Sequence, residues 1–256
     1  MSGHHVKRVC GGPPGATAWE AAGLAWLAAA EPAGGARVVP VLEVTDDALT
    51  LERLRAGRPD DASVEAFGRA LAVTHSAGAP AFGAGPPTWS GNGYLGPADE
   101  LLPLPLGPHL GWGAMYGEDR IRHTLWMGRE RGLWATTTVF DRVADRLTAG
   151  HFDDHLPPAR LHGDLWSGNV VWTDTGGVLI DPAAHGGHPL TDLAMLLLFG
   201  GAREERVSSA YAEVADLPDG WPDLVGLHQL HPLMMHAVLF GGGYVTQAER
   251  TASRYA

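Results

Sequence analysis

The stretch from Leu161 to Gly200, LHGDLWSGNVVWTDTGGVLIDPAAHGGHPLTDLAMLLLFG, constrains the fold more than any other part of the chain. Its middle reads as a β-hairpin. Asn169 to Thr173 forms one strand, Asp174 to Gly177 the turn, and Val178 to Asp181 the return. Folding the pair about its turn places Asn169 opposite the Asp181–Pro182 end. Directly opposed Cβ atoms there sit roughly 4.5–5.5 Å apart. An amide oxygen and a carboxylate at the open end of a hairpin suit a hard cation. Magnesium fits such a pair, because it takes few protein oxygens and fills its shell with water and phosphate. Asp164 lies in the loop entering the hairpin, where a carboxylate can face a hydroxyl group. His162 reads as a buried hydrogen-bonding scaffold. Asp192, at the start of an apolar helix, reads as a cap or as a brace for the loop backbone.

The rest of the chain supplies two regions. Val6 to Val9 reads as a short strand, followed by a helix from Thr17 to Ala30. Arg37 to Val44 and Ala48 to Glu52 read as two strands joined at Thr45 to Asp47. Residues 1–54 therefore form a small β-rich unit. Residues 55–256 form a larger helical one. Its helices are expected from Pro59 onward, over Asp119 to Gly128, Thr136 to Ala149, Leu190 to Gly201, Glu204 to Ala215 and Leu224 to Phe240. Ala79 to Gly113 is rich in Gly and Pro and reads as a long covering loop. The fold class is α+β, in two lobes.

Composition narrows the partners. Net charge is −11 and no Lys/Arg-rich block is present. A nucleic-acid partner needs a cationic surface, so none is expected. A single cysteine, Cys10, excludes an internal disulfide framework and makes a reduced, cytoplasmic setting the default. The first residues lack an apolar signal core, and the longest apolar run, Leu193 to Ala202, is too short to cross a bilayer, so no membrane partner is expected.

The H-x-D-x-x-x-x-N spacing with a strand-terminal aspartate resembles the catalytic segment of kinase-type phosphotransferases. His162 through Asn169 (HGDLWSGN), Ile180-Asp181-Pro182-Ala183, Gly187-His188 and Asp192-Leu193-Ala194 together resemble the fructosamine kinase family. Gly93 to Pro97, His228 to Leu233 and Gly241 to Tyr244 resemble bacterial members. The likeness extends from about Lys7 onward. It implies a two-lobed protein-kinase-like fold and an enzyme that moves the γ-phosphate of ATP, with Mg2+, to a hydroxyl of a ketosamine. The acceptor would be a small or protein-bound sugar–amine adduct. Asp164 would accept the substrate proton, while Asn169 and Asp181 would hold magnesium. Lys7, paired with Glu20, would meet phosphate. Backbone groups at Glu52, Arg53 and Leu54 would meet adenine, and Trp166 would wall the acceptor.

The family's Gly-rich hairpin has no counterpart ahead of Lys7. Met1 to Val6 spans at most roughly 20 Å as one strand, too little for a hairpin. Gly11 to Gly15 follows the lysine instead. The Lys7 strand is therefore expected at an exposed sheet edge, with weakened nucleotide affinity and a route to self-association. Two other readings share the same centre: an aminoglycoside or other small-molecule kinase, and a noncatalytic nucleotide-binding protein.

Overall fold

The structure, a computed structural model, describes residues 3–9 and 11–256; Met1, Ser2 and Cys10 lie outside the described residues. In chain order, the small lobe runs β1 (His4–Arg8), α1 (Ala16–Ala28), β2 (Arg37–Val38), β3 (Val41–Val44) and β4 (Ala48–Glu52). The helix α2 (Asp61–Ser76) follows, then β5 (Gly93–Leu95) and β6 (Leu102–Leu104). Next come α3 (Trp112–Met115), a wider helical turn (Tyr116–Arg122), α4 (His123–Glu130) and α5 (Thr138–Thr148). β7 (Ala159–Leu161), β8 (Val170–Thr173), β9 (Gly176–Leu179) and β10 (His185–Gly187) surround the expected hairpin. Five helices close the chain: α6 (Leu190–Leu198), α7 (Ala202–Ala212), α8 (Trp221–His228), α9 (Leu230–Phe240) and α10 (Gly243–Ala252).

The N-terminal sheet has the order β1-β4-β3, all antiparallel, with Lys7 opposite Leu49. β1 stands at one edge of it among the described residues. The segment Arg37 to Val44, read as one strand, is in fact two strands in different sheets. Pro40 has no amide hydrogen to continue a ladder and marks the break. Before it, β2 pairs in parallel with β9, Val38 opposite Leu179. After it, β3 pairs with β4. The chain thus ties the small lobe directly to the hairpin of the large one.

Two apolar cores follow from this topology. One brings together Leu24 and Leu27 of α1, Leu49 and Leu51 of β4, Leu71 of α2, Val178 of β9 and Leu193 of α6, so it runs across both lobes. The other fills the helical end, where Phe140, Val143 and Leu147 of α5 meet Met234 and Val238 of α9 and Ala248 of α10. The 3-4 spacing of those α5 residues is the helical apolar stripe that marks the element in sequence.

Three helical boundaries differ from expectation. The helix expected from Asp119 already begins at Trp112. Ala79 to Gly113 reads as loop, but a Cβ at Gly113 or Gly117 would collide with α5: the Leu147 carbonyl at Gly113, and Thr148 and the Ala144 carbonyl at Gly117. The two glycines permit close helix packing. The single helix expected over Leu224 to Phe240 is split at Gln229. Pro232 cannot donate to the His228 carbonyl, and the Tyr116 hydroxyl donates to it instead at 2.7 Å. Finally, α10 follows the Gly241–Gly243 triplet, where the sequence suggested no further helix.

Candidate functional site

The loop between β7 and β8 is held from below by a buried carboxylate. Asp192, in the first turn of α6, accepts the His162 amide hydrogen through Oδ2 at 2.7 Å and that of Gly163 through Oδ1 at 2.9 Å. His75 Nε2 donates to the same Oδ2 at 3.1 Å, and the Tyr211 hydroxyl donates to His75 Nδ1 at 2.9 Å. Burial disfavours the Asp192 charge, but hydrogen bonds from His75 and from the Gly163 amide outweigh it and hold the carboxyl below its ordinary range. Of the two roles read from sequence, bracing is the one the contacts show. His75 and Tyr211 carried no sequence signal, since 136 positions separate them.

His162 is fully buried and donates from Nε2 to the Ile180 carbonyl at 2.8 Å. Its Nδ1 accepts the Asp164 amide hydrogen at 3.3 Å. Burial pulls its pKa down, so the ring is a neutral strut between the loop and the end of the hairpin. Gly163 turns the chain at φ +82°, and a Cβ there would strike the Ala183 carbonyl. Only glycine fits that corner.

The hairpin closes through a two-residue turn, with Thr173 opposite Gly176 and Val170 opposite Leu179. Asn169 sits just outside it, where its carbonyl accepts the Ile180 amide hydrogen at 3.1 Å. The Asn169 amide nitrogen donates to Asp164 Oδ2 at 3.0 Å, to the Asp164 carbonyl at 2.8 Å and, at 3.5 Å, to the Asp181 carbonyl. Its Oδ1 therefore faces away from these acceptors. Asp181 adopts φ +53°, a strained conformation for a residue with a side chain. Such strain persists where the surroundings fix it. Here Lys7 Nζ lies 3.1 Å from Asp181 Oδ1 and 2.7 Å from Glu20 Oε2.

Helix α1 reaches this point because Gly23 lets it pack on the following loop; a Cβ there would stand 3.2 Å from Pro182 and from Ala184. Glu20, one turn earlier, then meets Lys7. Burial pushes the Glu20 carboxyl up to about 7 against the pull of Lys7, and its Oε1 has no partner among the described residues. Burial lowers the Lys7 pKa, but Glu20 and Asp181 more than offset it, so the ammonium stays charged. Asp164 is pushed up to about 7 by its enclosure and by the charges of Asp192 and Asp181, against Asn169 and Lys7.

Lys7, Glu20, Asp164, Trp166, Asn169 and Asp181 all line one cavity of about 720 Å³. Trp166 is 41% exposed, and its ring lies over Gly168, where a Cβ would collide with it. The long loop covers the cavity with Tyr94 to Ala98, anchored by the Trp19 indole, which donates to the Tyr94 carbonyl at 3.0 Å. The expected adenine contacts stand apart. Glu52, Arg53 and Leu54 do not line the cavity. The Glu52 amide hydrogen goes to the Pro40 carbonyl and that of Arg53 to the Gly3 carbonyl, both at 3.0 Å. Leu54 packs against the shared core. These two amides are thus already used by the small-lobe sheet.

The chain is similar to known proteins in sequence and in fold. The sequence profile described as fructosamine kinase matches residues 16–255. A Vibrio vulnificus protein named "Probable ketoamine kinase" is 33% identical over 61% of this chain and 54% of its own length, so the chain spans about half of that relative. A crystal structure from Thermobifida fusca, carrying the name "putative fructosamine-3-kinase", is 42% identical with a TM-score of 0.86, over 98% of this chain and 84% of that one. A macrolide 2'-phosphotransferase from Brachybacterium faecium, 15% identical with a TM-score of 0.57, covers all of this chain and 86% of its own and shares the fold alone. The fold is the two-lobed kinase-like α+β architecture, and the chain belongs to the fructosamine kinase family.

Proposed function

We propose that this protein is an ATP-dependent phosphotransferase acting on a hydroxyl of a ketosamine, a sugar joined to an amine. The observation that carries the reading is Asp164: a half-buried carboxylate, held by Asn169 and flanked by Asp181 and Lys7, facing a cavity large enough for a small molecule.

The chemistry asks for alignment, neutralised phosphates and a proton acceptor. Asp164 takes the proton of the acceptor hydroxyl. A carboxyl that titrates near neutrality suits that work, because it can both accept and release a proton. Lys7, oriented by Glu20, neutralises phosphate charge. Trp166 forms an apolar wall beside the acceptor. The adenine edge is met by backbone groups of Glu52, Arg53 and Leu54 other than the two bonded amides.

The donor set fits a magnesium ion. The Asp181 carboxylate and Asn169 Oδ1 are hard oxygens at the same end of the hairpin, and the Asn169 amide hydrogens already point the other way. When bound, magnesium would shield the phosphate charge during transfer. Lys7 must then loosen from Asp181 and turn towards phosphate while keeping Glu20.

The test is an acceptor panel with ATP and magnesium: a ribulosamine, a fructosamine, a free sugar and an aminoglycoside, with products read by mass spectrometry. Gain of one phosphate on the ketosamines is expected. Phosphate appearing on the aminoglycoside alone would overturn the acceptor class.

A further inference from the structure

The cavity has two chemically distinct ends. Its charged lining is Lys7, Glu20, Asp164, Asp181 and Asp192, all belonging to the reacting centre or its brace. The other end is built from aromatic rings on three helices. Phe199 caps the end of α6, seven residues beyond Asp192, which at helical rise is about 10 Å away. His236 and Phe240 come from α9, and Tyr244 from α10. The His236 ring lies 4.9 Å from Phe199, 5.6 Å from Phe240 and 5.1 Å from Tyr244, centroid to centroid. Phe240 and Tyr244 are 6.5 Å apart.

Two of these rings, Phe199 and Phe240, are held out rather than packed away. Phe199 is 40% exposed and Phe240 is 60% exposed, yet both line the cavity. The turn presenting Phe240 and Tyr244 passes through Gly241 (φ +63°, ψ −142°) and Gly242 (φ +61°, ψ −138°), a conformation essentially reserved for glycine. His236 donates from Nδ1 to the Pro232 carbonyl at 2.7 Å, and burial lowers its pKa, so this ring is neutral too. An apolar substituent placed here gains ring contacts and leaves water. A carboxylate placed here would lose water and find no Lys or Arg among the cavity-lining residues of this end.

We infer that Phe199, His236, Phe240 and Tyr244 form a subsite for the amine-side substituent of the acceptor, and that it selects an uncharged arylalkyl group over a small or carboxylate-bearing one. The inference rests on the ketosamine reading for the other half of the ligand. The sugar reaches Asp164, and the group carried on its nitrogen extends towards α9 and α10.

Equilibrium binding tests it without any need for turnover. The whole chain is titrated calorimetrically with adducts of one ketose on methylamine, phenethylamine and glycine. The phenethylamine adduct is expected to bind at least about 10-fold tighter than the methylamine adduct, from ring area removed from water. The glycine adduct is expected to be the weakest. Phe240→Ala, a substitution at a largely exposed position, is expected to bring the phenethylamine-to-methylamine ratio within about threefold, as is Phe199→Ala. Equal affinities in the wild-type chain, or no binding of any adduct, overturn the inference. Phosphate transfer is scored separately. Transfer to all adducts without aryl preference overturns the subsite and leaves the kinase. Aryl-selective binding with transfer to none overturns the kinase and leaves the subsite.

Discussion

At the scale of single residues, the proposed chemistry rests on Asp164. In the proposed role of proton acceptor it would be worth about 10²–10⁴-fold, so Asp164→Asn is expected to lower kcat by that factor. Its carboxyl titrates at about 7, so kcat/KM for the acceptor should rise with pH and level off above neutrality. A profile flat from pH 5 to 8 would remove Asp164 from that role. The same shift has a consequence for stability. The folded state holds the Asp164 proton more tightly than the unfolded chain, so this group's contribution is full at low pH. It is lost as pH rises from the ordinary carboxylate range through about 7. Asp164→Asn mimics the protonated form. Its Tm should therefore exceed the wild-type value at pH 8 and match it near pH 4. Lys7→Met removes the cation shared by Glu20 and Asp181, and KM for ATP is expected to rise about 10-fold or more, as for loss of a charge-assisted hydrogen bond.

Among the elements, the brace between α6 and the loop after β7 matters most. Asp192→Ala leaves two backbone amides and His75 without their acceptor inside the core. A loss of about 3–5 kcal/mol is expected in urea unfolding. A loss under 1 kcal/mol would mean that the loop holds itself. How readable each element was in sequence follows from how local its determinants are. The hairpin was legible because its turn and both strands lie within a dozen residues, and it carried Asp164, Asn169 and Asp181 with it. Helix α5 was legible from its apolar stripe. The start of α3, the break at Gln229 and the appearance of α10 were not, because each depends on a distant partner: α5 against Gly113 and Gly117, Tyr116 against the His228 carbonyl, and the helical core against Ala248. The aromatic subsite was invisible for the same reason, since its rings come from three separate helices.

For the whole molecule, β2 is the element that links the lobes. It follows α1 in the small lobe but pairs with β9 beside the candidate site, and the core beneath it mixes residues of both lobes. The chain is therefore expected to unfold in one transition, with tryptophan fluorescence and far-ultraviolet dichroism coincident. Two resolved transitions would show that the lobes are held by less than this shared core. This sharing was not legible in sequence, because Arg37 to Val44 is continuous in composition and only Pro40 hints at the break. The β1 strand, which presents Lys7, has β4 as its one neighbour in the sheet among the described residues. Lys7 is held in place mainly by its two carboxylates.

The most direct test of the proposed chemistry is ADP release from ATP and magnesium in the presence of a small ketosamine, run for the wild-type chain beside Asp164→Asn. The expected result is ketosamine-dependent ADP release with one phosphate gained per acceptor, reduced at least about 100-fold in the variant. Undiminished release in Asp164→Asn, or no acceptor-dependent release from the wild-type chain, would contradict it.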